Sequence, residues 1–181
     1  MNKYFDEVTK KYYNKIIGQR TKNIKKELVK NDSEEIKEFM AFNLNEDNLY
    51  AISYEYIYKI INEFNLVKIP FMPDYIHGVI NYRGEILTVL NIHYFFNITF
   101  EDNDNKELII ISYKNFKLGL LVNKIKGFCR YNTEKFENPF YSQNIVNNKI
   151  ISHIFNNEVL ILNVEEIFFD PKLGLFKNST G

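Results

Sequence analysis

The sequence predicts a mainly β fold preceded by a helical N-terminal extension. From about residue 36 onward, apolar runs of strand length recur at regular spacing, broken by clusters of Asn, Asp, Lys and Gly. Many short, evenly spaced strands favour closed barrels over a parallel sheet covered by helices. Residues 1–35 differ: they are rich in Lys, with Arg20 adding to the charge, and Tyr13, Ile16, Ile17, Ile24 and Leu28 recur at near-helical spacing.

The extension, residues 1–35, therefore reads as one or two amphipathic helices ending near Asn31-Asp32-Ser33, with Asp32 or Ser33 able to cap the next element. Such a segment either packs on the domain by its apolar stripe or grips a partner or an acidic membrane surface; the first reading is favoured. Four hairpins come after it. Phe39–Leu44 and Leu49–Ile52 flank the polar turn Asn45–Asn48. Gly78–Tyr82 and Glu85–Leu90 flank Arg83-Gly84. Leu108–Ser112 and Leu118–Val122 flank Tyr113–Phe116. Ile150–Phe155 and Val159–Leu162 flank Asn156-Asn157-Glu158. A further strand runs from about Lys124 to Arg130. Between the first two hairpins the pattern is ambiguous: Tyr54, Tyr56, Tyr58 and Ile60 alternate as in a strand, whereas Ile57, Ile60, Ile61 and Phe64 fit a helical face. Polar stretches at 101–107 and 132–149 read as loops, and residues 171–181 as a weakly patterned tail.

Composition narrows the functional classes. Of 181 residues, 45% are hydrophobic and 25% charged, so one domain, or two small ones sharing a core, is expected. Lys plus Arg and Asp plus Glu each number 23, which leaves no overall basic field to draw the body of the chain onto nucleic acid. The single cysteine, Cys129, allows no internal disulfide and reads as a small core hydrophobe. The longest apolar run, Leu108–Ile111, is far short of a membrane span, and the first residues lack an apolar signal core. A cytoplasmic chain without direct membrane insertion is the expectation.

Val67–Asn91, taken with the ten residues from Ile57 before it, closely resembles the central signature of the CheW family: a Pro, an aromatic-Ile-x-Gly (Tyr75-Ile76-His77-Gly78), then Val79-x-Asn81-x-Arg83-Gly84 and an alternating strand. Phe116–Ile125 resembles that family's Gly-centred strand pair, and Val159–Phe168 its closing strand and short helix. The resemblance covers about residues 36–170. It implies two SH3-like, five-stranded β-barrel subdomains sharing a pseudo-symmetric core. It also implies a function without catalysis or cofactor: an adaptor whose first barrel binds the cytoplasmic hairpin tip of chemoreceptors and whose second binds the regulatory domain of a CheA-type histidine kinase. On that resemblance the chain is recruited to membrane-associated chemoreceptor arrays. The matching receptor-binding positions are Tyr54, Ile57 and Ile60, with Arg83 nearby; no kinase-binding residue is assigned.

Physical reading of the same stretch agrees that Arg83 stands at a hairpin tip, where a guanidinium forks onto a carboxylate or backbone carbonyls. Two positions depart from the family pattern. Lys59 stands where a Glu is common, which removes a carboxylate partner for Arg83 that Glu63 or Glu85 could replace, and Asn91 stands where an Asp is common. His77, His93 and His153 share no metal-ligand spacing, and Glu165-Glu166 point to different faces of a short helix, so neither set suggests chemistry. The alternative is an SH3-like barrel protein that binds RNA or anionic membrane through its basic N-terminal helices.

Overall fold

The computed structural model describes residues 35–46, 48–100, 106–139 and 149–173. The predicted helical extension lies outside these, as do the acidic loop at 101–105, residues 140–148 of the second long loop and the end of the tail. The described chain forms twelve strands: β1 (Ile36–Asn43), β2 (Leu49–Ser53), β3 (Ile57–Ile61), β4 (Leu66–Val67), β5 (Ile76–Tyr82), β6 (Glu85–Leu90), β7 (Glu107–Tyr113), β8 (Phe116–Val122), β9 (Lys124–Asn132), β10 (Phe136–Glu137), β11 (Ile151–Phe155) and β12 (Val159–Leu162). A short helix, α1 (Val164–Phe169), comes after β12, and a 3-10 turn (Ile92–Phe96) after β6.

All four predicted hairpins form. Their turns use the expected backbone freedom: Arg83 and Gly84 both have positive φ (54° and 86°), as do Asn156 and Asn157 (51° and 57°). The ambiguous stretch after β2 is a 3-10 turn, Tyr54–Tyr56, leading into β3. A bulge at Tyr58 explains the ambiguity. The pairing skips from Ile57–Ile111 to Lys59–Ile110, so the period-2 alternation changes phase within the strand.

The strands form two sheets, ordered β10-β11-β12-β2-β1-β9 (sheet I) and β3-β7-β8-β6-β5-β4 (sheet II). Each has five strands of four to nine residues and a two-residue strand at one margin. The two halves of the chain repeat one plan. β1–β6 correspond in order to β7–β12, but each half donates its hairpin to one sheet and its next four strands to the other. β3 thus leaves sheet I to pair with β7, and β9 leaves sheet II to pair with β1. Parallel pairs β2–β12 and β6–β8 close each sheet across the halves. Even the irregularities repeat: Lys126 is skipped in β9 as Tyr58 is in β3, and Ser152 in β11 as His77 is in β5.

This exchange creates three cores. Phe39, Ala51, Val159 and Ile161 fill the inside of sheet I, and Ile80, Leu87, Val89, Leu108, Ile110 and Leu121 that of sheet II. A larger shared core lies between the sheets, built from Met40, Phe42, Ile52, Leu90, Ile109, Ile111, Leu120, Leu162, Ile167, Phe168 and their neighbours. Central strands are therefore apolar on both faces. In β7, Leu108 and Ile110 face the sheet's own core while Ile109 and Ile111 face the shared one, which is why this strand reads as an unbroken apolar run. The segments that close the shared core also match: Val89-Leu90-Asn91-Ile92 with Phe95 and Phe96, and Ile161-Leu162-Asn163-Val164 with Ile167 and Phe168. Asn163 caps α1, accepting from the Glu166 N–H at 3.2 Å. Asn91 uses its side-chain amide to donate to the Asp74 carbonyl at 3.2 Å.

Two buried polar residues sit at the margin of the shared core. His93 is fully buried, and its Nε2 donates to Asn123 Oδ1 at 3.0 Å, an oxygen that also accepts from Lys106 Nζ at 2.6 Å. Burial, with the Lys106 and His77 charges adding, holds the imidazole below its ordinary pKa. Glu107 accepts from the Ile125 N–H and from Lys124 Nζ, which fixes the start of β9.

Gly119 marks a close approach of side chains in the middle of sheet II. A Cβ there would lie 3.0 Å from Leu108 Cδ1 and 3.1 Å from Val89 Cγ2, on the strands either side. Gly119→Val is expected to lower the unfolding free energy by about 2 kcal/mol through overpacking. Pairing it with Leu108→Val, which trims the side chain it meets, should return part of that loss; urea denaturation of the three proteins checks both.

Candidate partner-binding surface

The 3-10 turn between β2 and β3 carries the chain from one sheet to the other, and its side chains tie the two together. The Tyr56 hydroxyl donates to Glu165 Oε1 and the Tyr113 hydroxyl to Glu165 Oε2, both at 2.9 Å. One carboxylate on α1 thereby holds the crossover turn and the β7–β8 hairpin. Burial first, then the hydrogen bond to Glu165, pushes the Tyr56 phenol up to about 12. For Tyr113 the Glu165 hydrogen bond is the leading cause of an upward shift. The paired glutamates expected to face apart do so: Glu165 is half-buried in this clamp and Glu166 is exposed.

The four sequence-predicted receptor positions fall on this crossover and on the β5–β6 hairpin. Tyr54, half-buried, meets the Phe128 ring edge-on with centroids 5.1 Å apart. Ile57 and Ile60 are half-buried and pack against the shared core, the parity that the bulge between them permits. Arg83 is exposed at its hairpin tip, where the Gly84 N–H donates to Asn81 Oδ1 at 2.9 Å and braces the turn. Its guanidinium lies 5.4 Å from the Tyr82 ring centroid. Neither of the two proposed carboxylates takes it: Glu85 pairs with Lys117 at 2.5 Å, because both side chains lie at the open end of sheet II. That pairing is the leading cause of an upward shift in the Lys117 pKa.

Sequence reasoning missed the residues that join β3 to Arg83. Tyr58, extruded by the bulge, stands edge-on to Tyr82 (6.1 Å, 85° between planes) and has Lys117 Nζ 4.9 Å from its ring centroid. Arg83, Tyr82, Tyr58, Lys117 and Glu85 thus form one continuous surface. Only the run of tyrosines from 54 to 58 hinted at it, and without the bulge their directions could not be separated. Cys129 is half-buried in sheet I, with its Sγ 3.6 Å from the Phe39 carbonyl oxygen. Among the described residues, no helix is long and apolar enough to cross a membrane.

The CheW-like domain family matches residues 38–172, a stretch that runs through both sheets. This chain belongs to that family. Among curated relatives, the chemotaxis protein CheW of Thermotoga maritima is 30% identical over 97 residues, 52% of this chain and 64% of that protein. The CheW of Treponema pallidum is 27% identical over 107 residues, 56% of this chain and 62% of that protein. Each of those two alignments spans less than two thirds of the relative's own length. The CheW of Helicobacter pylori is 24% identical over 140 residues, 75% of this chain and 84% of that protein. In three dimensions the crystal structure of the scaffolding protein TtCheW from Thermoanaerobacter tengcongensis matches with a TM-score of 0.64. That match covers 71% of this chain and 90% of the other at 22% identity, a likeness of fold. The two-subdomain β architecture read from the sequence is therefore the family's architecture.

Because both partners of Glu165 are tyrosines, the clamp has a spectroscopic signature. Tyrosines ordinarily ionise near 10; Tyr56 is raised to about 12, as is Tyr50 by burial in the shared core. A raised folded-state value means stability is fully present below pH 10 and falls as pH climbs through about 12. Glu165→Ala is expected to bring one late tyrosine back toward the ordinary range and to cost about 1–2 kcal/mol. Tyrosinate absorbance during alkaline titration and thermal denaturation at neutral pH check the two outcomes.

Proposed function

We propose that this chain is a non-enzymatic chemotaxis adaptor that couples the cytoplasmic hairpin tips of chemoreceptors to a CheA-type histidine kinase. One observation carries the reading: the family match, residues 38–172, takes in strands of both sheets. The names of the curated relatives and the scaffolding description of the structural neighbour point the same way. On this reading the output is binding alone. The sheet carrying Arg83 meets the receptor hairpin, with Tyr54, Ile57 and Ile60 along the crossover strand, and the other sheet meets the regulatory domain of the kinase.

The arrangement suits that task. Two sheets locked on a shared core keep a fixed relative orientation, so partners held on each are held relative to one another. Receptor state then alters the kinase through shared contacts, which is coupling in the thermodynamic sense. In a cell the chain would stay cytoplasmic and be recruited to receptor arrays.

Co-sedimentation with a soluble receptor hairpin fragment and the kinase tests this directly. A ternary complex is expected, with receptor retained only weakly by kinase when the chain is omitted. Binding to neither partner would remove the adaptor reading, and strongly salt-dependent retention on RNA or anionic vesicles instead would favour a basic-arm binding protein.

A further inference from the structure

A buried histidine at the seam between the two halves has no part in the adaptor reading. His93, 0% exposed, lies in the 3-10 turn after β6. Its Nε2 reaches Asn123 Oδ1, in the link between β8 and β9, and the Asn123 N–H donates to the Asn43 carbonyl at the end of β1 at 3.0 Å. One imidazole thereby fastens the first half of the chain to the second. Lys106 Nζ donates to the same Asn123 oxygen, so that oxygen is an acceptor and the proton of the neutral ring sits on Nε2. Nδ1 has no hydrogen-bond partner among the described residues.

The surroundings suit a neutral ring and not a charged one. Phe100 lies against His93 (centroids 5.1 Å apart) and His77 (4.6 Å), with Lys106 Nζ 5.0 Å from its own centroid. Among the described residues, the charged or titratable groups that bear on the imidazole are Lys106, which leads into β7, and His77 of β5, each cationic when protonated. Glu107, next to Lys106, is taken up by the Ile125 N–H and by Lys124 Nζ. A proton on His93 would therefore set a second cation beside Lys106 in a site closed to solvent. Asn123 and the Leu44 backbone favour the charged form, and burial outweighs them.

We infer that His93 is a pH-sensitive latch: neutral, it holds the two halves of the chain together, and mild acid releases it, so that the shared core opens more readily. Ile92 and Phe95, on either side of His93, are buried in that core, so the latch cannot slip without loosening it. The folded-state pKa is depressed, so the unfolded chain takes up its proton near 6.5 and the folded chain only at lower pH. The latch's stabilisation is thus fully present above about pH 6.5 and is lost as pH falls from there through the folded-state value. The inference rests on the fold and not on the adaptor reading; if both hold, acid deprives the two partner-binding sheets of their common frame at once.

Urea denaturation of the full chain and of His93→Gln, at about pH 7.5, 6.5 and 5.5, tests it. Between the last two, the wild-type folding equilibrium constant is expected to fall by up to about tenfold more than that of the variant, because one extra proton enters on unfolding. Glutamine keeps a donor for Asn123 and cannot titrate, so the comparison turns on pH dependence and not on the level of stability. Proton NMR of the wild-type chain reads the same site without that variant: the His93 Cε1–H should titrate below 6.5, and Lys106→Gln should move its midpoint upward. Parallel pH dependence in wild type and His93→Gln, or a His93 ring in the wild-type chain that titrates at or above 6.5, would overturn the latch.

Discussion

Four strand pairs, β1 with β9, β3 with β7 and the parallel β2 with β12 and β6 with β8, join the halves of this chain, and nearly every other feature depends on them. Each half gives its first hairpin to one sheet and its next four strands to the other. Neither half therefore owns a complete sheet. Faces of β1, β2, β7 and β8 that do not point into their own sheet point into the shared core, so the same strands are buried twice. Burial of this kind stabilises at roughly 25 cal/mol per Å² of apolar surface. Here it also prevents either sheet from losing its packing without exposing the other.

That constraint explains what could and could not be read from the residues. Hairpins were legible because their turns carry residues that tolerate positive φ, such as Gly84 and Asn156-Asn157, and because their strands are neighbours in sequence. Partners of β3 and β9 were not legible, since each pairs with a strand far away in the chain and each is interrupted by a bulge that shifts its alternation. The same bulge hid Tyr58, the exposed residue of the crossover strand, behind the half-buried Ile57 and Ile60. His93 gave no local sign of burial. Its position matches Glu165 in the other half, so one repeat buries a neutral imidazole where the second places a carboxylate between two tyrosines. The pairing of Glu85 with Lys117 rather than Arg83 was invisible because it depends on which residues meet at the open end of a curled sheet.

On the adaptor reading, these features divide the molecule into a rigid part and a recognition part. The shared core, the Glu165 clamp and the Gly119 contact fix the sheets relative to one another. Strained tips and extruded rings, by contrast, contribute little to packing. Arg83 and Tyr58 sit where the fold leaves freedom to vary, which is where an adaptor would set its preference among partners. Departures from the family pattern at Lys59 and Asn91 fall on either side of this division: Lys59 lies on the crossover strand, whereas Asn91 serves the fold by bonding the Asp74 carbonyl.

Native-state hydrogen exchange across a denaturant series tests most directly whether the two sheets are one cooperative unit. Slow amides of β5 and β6 in sheet II and of β11 and β12 in sheet I should share one opening free energy and one denaturant dependence, because the shared core must open for either sheet to open. A lower opening free energy confined to one sheet, with the other still protected, would contradict this account.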